Sequence, residues 1–201
     1  MKPTALIIIG AVLATITMAK AETPDQTVKN LNAAFQGESN AAHRYTLFAT
    51  KAEQEGYAQV AKIFRAAARA ESIHRDSHKQ AILALDGKID DFKLDQVTPG
   101  TTAENLRAAI KGETYERDTM YPEFLAQARK DNAKPAIRTL TYAHKAEAEH
   151  ARLYQEALDN LGHNVESPIY VCKVCGYTTT RLPANSCPSC REPVSNYVSI
   201  D

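Results

Sequence analysis

The sequence predicts an all-α protein: a four-helix bundle with one long crossover, followed by a small cysteine-bearing module of different character. Three observations carry this. Four stretches of roughly 25–30 residues show helical periodicity, and the connections between them run short, long, short. The helical pattern then ends near Ser167, where Pro183, Pro188 and Pro193 exclude a further helix. The 201 residues, 44% of them apolar, suffice for one ordinary domain and a satellite. The 24 basic residues are balanced by 24 acidic ones, which argues against a generic nucleic-acid binder.

Residues 1–21 read as a secretory signal peptide. Met1 and Lys2 precede an apolar run from Ala5 to Met18, and Ala19-Lys20-Ala21 supplies a small-x-small ending. The run falls short of the ~20 apolar residues of a comfortable membrane span, so an uncleaved anchor is the lesser alternative. Cleavage after Ala21 removes Lys2 and Lys20 and leaves a slight acidic surplus. The expectation is an exported, periplasmic protein with no membrane span after cleavage.

The first helix is expected to open at Thr23-Pro24-Asp25-Gln26, with Thr23 as N-cap and Pro24 at the first helical position, and to run to about Glu55 before Gly56. A second extends from Tyr57 to about Leu85 and stops at Asp86-Gly87. Residues 88–100 lack a sustained period and form the crossover. Thr101-Thr102-Ala103-Glu104 caps a third helix to about Lys130, kinked at Pro122, and a fourth reaches Leu161-Gly162.

Carboxylates stand where a bundle wants leucine. Glu38 shares a face with Leu31, Phe35, Ala42 and Tyr45. Glu71 and His74 are three residues apart on the second helix, and Glu147 and His150 repeat that spacing on the fourth. Glu113 and Glu116 are paired on the third. Gly37-Glu38 echoes Gly112-Glu113, and Ala70-Glu71 echoes Ala146-Glu147, as in a doubled helical hairpin. Five Glu and two His cannot sit in a bundle core as free ions, because burying one unpaired carboxylate costs several kcal/mol. Two divalent metal ions supply the counter-charge, and a Glu from each of two helices plus Glu-x-x-His from each of the others is the dimetal pattern. Oxygen-rich ligation with one imidazole per metal suits iron or manganese, without excluding zinc. Tyr45, Tyr115 and Tyr121 lie within a turn or two and either bond these carboxylates or fill core volume. His43, His78, His144 and His163 have no partner at ligand spacing and are assigned surface or packing roles, and Glu149 is assigned to solvent.

Cys172, Cys175, Cys187 and Cys190 form two Cys-x-x-Cys words, the spacing at which two turns grip one tetrahedral ion. So short a segment buries too little surface to fold unaided, and the metal supplies the missing stability. A pair of disulfides is the alternative. Iron and zinc both accept four thiolates.

With both sites in view the chain resembles rubrerythrin, a ferritin-like di-iron bundle (here residues 22–165) followed by a rubredoxin-like domain (here 166–201). Met120-Tyr121-Pro122-Glu123-Phe124, Cys-x-x-Cys-Gly-Tyr and Cys-Pro-x-Cys add to the likeness. The resemblance implies two iron ions held by Glu38, Glu71, His74, Glu113, Glu116, Glu147 and His150. Glu71 and Glu147 would bridge, Glu38 would be terminal on one iron, and Glu113 with His150 terminal on the other. It implies that the first iron exchanges Glu116 for His74 between oxidised and reduced states, and that a third iron occupies the four-cysteine site. It further implies a peroxidase that reduces hydrogen peroxide to water, with the rubredoxin-like iron relaying electrons, commonly across a head-to-tail homodimer. The signal peptide departs from a mostly cytoplasmic family. An exported protein meets no nicotinamide pool, so its electron-donor protein is expected to be another carrier, such as a periplasmic cytochrome. A ferroxidase or iron-handling protein, a redox sensor without significant turnover, and a structural zinc-binding bundle are the competing readings.

Overall fold

The computed structural model describes residues 24–201. The signal-peptide assignment and the proposed Thr23 cap fall outside those residues. The bundle contains α1 (Asp25–Gln54), α2 (Ala58–Ala84), α3 (Thr102–Tyr115), α4 (Tyr121–Lys130) and α5 (Lys134–Asp159). The ferritin-like architecture expected from the sequence is present, with α3 and α4 together forming the third member. Pro24 precedes the first helical residue rather than occupying it, and its carbonyl accepts the Val28 N–H at 3.0 Å. At the end of α2 it is Asp86, not Gly87, that takes the left-handed conformation (φ 56°). Gly87 is needed for space, since a Cβ there would lie 2.8 Å from a Val28 methyl.

The third helix departs from the expected Pro122 kink. The helix widens just before that residue, into a π-helical turn over Glu116–Met120. A proline ring clashes with the carbonyl four residues back and donates no N–H, and a wider turn relieves both problems. Within the turn the Tyr121 N–H bonds the Glu116 carbonyl, one residue further back than in an α-helix. His144 Nε2 lies 2.8 Å from the Arg117 carbonyl and donates to it, so this histidine caps an acceptor in the widened turn.

Two apolar clusters flank the carboxylate layer. Tyr45, Phe48, Phe64, Leu106 and Tyr154 lie in one, and Leu31, Ile82, Tyr121, Leu125 and Leu140 in the other. The crossover is pinned to α1 by buried asparagines. Asn32 donates to the Lys88 carbonyl (2.9 Å) and accepts from the Asp90 N–H (2.9 Å), while Asn40 accepts from the Asp95 N–H (3.0 Å). Among the described residues no helix is long and apolar enough to cross a membrane.

The C-terminal module is a three-stranded antiparallel sheet, β1 (Ile169–Cys172), β2 (Thr178–Thr179) and β3 (Tyr197–Ile200), with β1 central. Ile169 and Val171 point from β1 into the bundle's apolar cluster, which fixes the module against α2 and α5.

Candidate metal centre

Each helical member of the bundle delivers a carboxylate to one buried layer. Ligand atoms of Glu38, Glu71, His74 and Glu147 lie within 4.8 Å of one another, and so do those of Glu71, Glu113, Glu147 and His150. Glu71 and Glu147 belong to both sets, so two neighbouring positions share two carboxylates. The i, i+3 spacing turns each Glu-x-x-His pair onto one face, with His74 Nδ1 2.8 Å from Glu71 Oε2 and His150 Nδ1 2.8 Å from Glu147 Oε2. These six residues are at most 1% exposed.

The donor set fits metal ions on a direct observation. Five carboxylate oxygens, Glu38 Oε2, Glu71 Oε1, Glu113 Oε2 and both of Glu147, are buried without a hydrogen bond. His150 Nδ1 likewise makes no hydrogen bond, although Glu147 Oε2 and Glu71 Oε1 stand 2.8 and 3.0 Å away. So many convergent lone pairs are unstable without a cation. Without one, protons do the neutralising. Burial and the neighbouring Glu71 push the Glu38 carboxyl well up, and burial with Glu71 and Glu147 raises Glu113 to about 8. Burial opposes charge on His74, but Glu147 and Glu71 raise it to about 9. Glu71 is held low by His150 and His74, against the effect of its burial.

Glu116 stands apart from both clusters, half-buried at the start of the π-helical turn, where burial and Glu113 raise its pKa. The structure thus shows His74 turned in and Glu116 held off. Tyr45 donates to Glu113 Oε1 at 2.5 Å and Tyr121 to Glu38 Oε1, so both bond carboxylates. Tyr115 does not: it is 56% exposed, because two residues past Glu113 a helix presents nearly its opposite side. Two residues belong to the site's surroundings that the sequence reading did not place there. Tyr154 packs on Tyr45 with ring centroids 5.4 Å apart, and its position four residues after His150 was the available signal. His78, given a surface or packing role from the sequence, is fully buried and also hydrogen-bonded, with Nε2 3.2 Å from Tyr121 Oη and Nδ1 3.0 Å from Thr139 Oγ1. Burial and then His74 push its pKa down to about 3.

The four cysteines are free thiols whose sulfurs also lie within 4.8 Å of one another. Cys172 and Cys190 Sγ are 3.7 Å apart, and Cys175 and Cys187 Sγ 3.6 Å. A tetrahedron with metal–sulfur bonds of ~2.3 Å has edges of about 3.8 Å, whereas a disulfide would need ~2.05 Å. The Cys175 thiol and the backbone N–H groups of Val174 and Cys175 draw Cys172 down to about 5, against its partial burial.

The two centres touch through one loop. Cys175 O lies 3.1 Å from His74 Nε2, and Thr178 Oγ1 lies 3.0 Å from His150 Nε2. Between them Gly176, at φ 75°, lies close against the His74 ring, where a Cβ would meet that ring and the Ala70 carbonyl. Tyr177 Oη reaches Glu149 Oε1 at 3.4 Å, so Glu149, assigned to solvent from the sequence, also helps to seat the module.

The family profile described as Rubrerythrin matches residues 29–158. Rubrerythrin-2 of Clostridium acetobutylicum is 36% identical over 169 residues, 82% of this chain and 91% of that protein. Rubrerythrin of Porphyromonas gingivalis is 36% identical over 186 residues, covering 88% of this chain and 90% of that one. A solved structure of nigerythrin in its fully reduced, all-ferrous state superposes with a TM-score of 0.78 at 28% identity, over 92% of this chain and 90% of that chain. With both Glu-x-x-His clusters, the four-sulfur site and these relatives in agreement, the chain belongs to the rubrerythrin family of di-iron redox proteins.

Proposed function

We propose that the protein is a non-haem di-iron peroxidase that reduces hydrogen peroxide to water, with electrons passed inward from iron held by Cys172, Cys175, Cys187 and Cys190. The observation that carries this reading is His74, whose Nδ1 faces the carboxylate cluster while Nε2 meets the Cys175 carbonyl. A module for one-electron exchange abutting a two-metal site suits repeated reduction of a small oxidant better than iron storage.

The residues that would hold two irons are Glu38, Glu71, His74, Glu113, Glu147 and His150, with Glu116 available from its standoff position. The irons, when bound, supply the two electrons that cleave the O–O bond. The chain's own groups do the rest. Glu71 and Glu147 set the separation of the two positions, and Tyr45 orients Glu113 through its short hydrogen bond. Cys175 O and Thr178 Oγ1 fix the outer nitrogens of the two imidazoles, which directs Nδ1 of each toward the cluster. Burial excludes bulk water, so protons enter only along bonded groups. Exchange between Glu116 and His74 belongs to this proposal, His74 being turned in here.

The same reading takes residues 1–21 as a signal peptide, places the protein in the periplasm as a homodimer, and expects a donor such as a cytochrome in place of a nicotinamide-linked reductase. The test is anaerobic. The reduced three-iron protein, titrated with hydrogen peroxide, should consume one peroxide for each two electrons and turn over when reductant is resupplied. Retention of ferric mineral without peroxide loss would replace the peroxidase by an iron-handling protein.

A further inference from the structure

Reduction of hydrogen peroxide consumes two protons and two electrons for each two waters formed, and the carboxylate layer is sealed from bulk water. On the peroxidase reading, protons therefore need a bonded route inward. His78 sits where such a route can reach the surface. It follows His74 by one turn of α2, it is fully buried beside an apolar cluster, and it belongs to neither ligand set. Its Nε2 is 3.8 Å from Glu38 Oε1, too far to bond the carboxylate itself.

Tyr121 stands between them. The Tyr121 hydroxyl donates to Glu38 Oε1, so its oxygen is free to accept, and His78 Nε2 lies 3.2 Å away. With metal ions neutralising the layer Glu38 is an ionised carboxylate that only accepts, and that fixes the direction of the whole chain: Nε2 of His78 carries the proton, Nδ1 is bare, and Thr139 Oγ1 donates to it at 3.0 Å. Thr139, from α5, lines the inner wall of a groove of about 520 Å³ between α2, α5 and the cysteine module, together with Ser77, Arg138, Tyr142 and Cys190. A leucine at position 78 would fill this space without needing partners. An imidazole buried here needs both nitrogens bonded, and both are.

We infer that Thr139, His78 and Tyr121 form a proton path from this groove to Glu38, with His78 a positioning residue that acts through Tyr121. The Tyr121 proton passes to Glu38 Oε1, the His78 Nε2 proton passes to Tyr121 Oη, and the Thr139 proton passes to His78 Nδ1. Groove water restores the Thr139 hydroxyl. Each O–H or N–H bond broken is matched by one formed, His78 begins and ends neutral, and no electron moves along the path. One passage leaves His78 with its proton on Nδ1, and the ring must regain the Nε2 tautomer before the next.

The inference rests on the peroxidase reading for its purpose but is tested separately from it. In the full chain loaded with diamagnetic zinc, ¹⁵N spectra of histidine should show His78 neutral with its proton on Nε2, and Thr139→Val should shift the Nδ1 signal alone. A proton on Nδ1, a charged ring, or no response to Thr139→Val overturns the path whether or not the protein consumes peroxide. In the iron-loaded protein, His78→Ala should keep its metal content, melt several degrees lower because it leaves a cavity, lose about 10²-fold in peroxide turnover, and recover with added imidazole. His78→Leu, which leaves no cavity, should be equally slow and not recover. A wild-type rate in either variant, or a loss in His78→Ala that imidazole leaves uncorrected, refutes the relay. Wild-type protein inert toward peroxide refutes the peroxidase reading and leaves the zinc spectra to judge the path.

Discussion

Replacing Gly176 by alanine tests the seating of the cysteine module on the dimetal site. The residue has φ 75°, and a left-handed non-glycine residue costs about 1–2 kcal/mol. A Cβ would also lie 2.8 Å from His74 Cδ2 and 3.1 Å from the Ala70 carbonyl, and nearer still to His74 Nε2. Neither neighbour is the free end of a flexible side chain, so overpacking adds about 1–3 kcal/mol. The expected total of about 2–5 kcal/mol lowers the thermal midpoint of the iron-loaded chain by roughly 5–15 °C. Gly56 is the control, because it has φ 83° and nothing within 4 Å of a built Cβ. Gly56→Ala should show the backbone cost alone, a few degrees. Circular dichroism melts of both variants at one scan rate make the comparison, with limited proteolysis reporting whether the module swings away. A Gly176→Ala protein no less stable than Gly56→Ala would refute the contact between the loop and His74.

The metal-free chain should lose stability as pH rises from about 5 to 8. Glu113, Glu38 and Glu116 have raised carboxyl pKa values and His74 is raised to about 9, so over this window the folded state binds more protons than the unfolded one. Glu71 is lowered, and its stabilisation fades only below this window. Thermal midpoints across that range should therefore fall, and loading metal should release protons measurable in weak buffer. Tyr45→Phe removes the donor 2.5 Å from Glu113 Oε1 and should cost about 1–3 kcal/mol in denaturant unfolding of the iron-loaded protein. Cys187→Ser should lose the four-sulfur iron and leave the bundle's metal content intact, as read by elemental analysis.

What the sequence disclosed were features whose cause is local. Glu71/His74 and Glu147/His150 announce themselves because three residues of helix place two donors on one face, and the Cys-x-x-Cys turns do the same for thiolates. Thr101 and Glu104 form the capping box that their spacing predicts. Apart from Tyr115, the failures at the site involve contacts distant along the chain. His78 looked unpartnered because Tyr121 lies 43 residues away and Thr139 61, on other helices. Tyr115 was counted near the site on sequence distance, although helical phase turns it outward. The meeting of Cys175 with His74 spans 101 residues and depends on how β1 packs on the bundle, which no motif encodes.

The π-helical turn sets the phase of everything beyond it. Glu113 and Tyr121 are eight residues apart, and an uninterrupted α-helix would bring residue 120, not 121, back to the same side, since each residue advances ~100°. The extra residue absorbs that offset, letting a single strut aim Glu113 and Tyr121 into one chamber. Deleting any one residue from Glu116 to Met120 would close the turn into regular α-helix with Tyr121 seven residues after Glu113 and still on its side, whereas straightening the helix with all eight residues kept would turn Tyr121 about a quarter turn away from Glu38. Insertions of this kind are thus a form of gearing, and aligning a chain that lacks the extra residue across this segment without a gap would pair residues that face about a quarter turn apart.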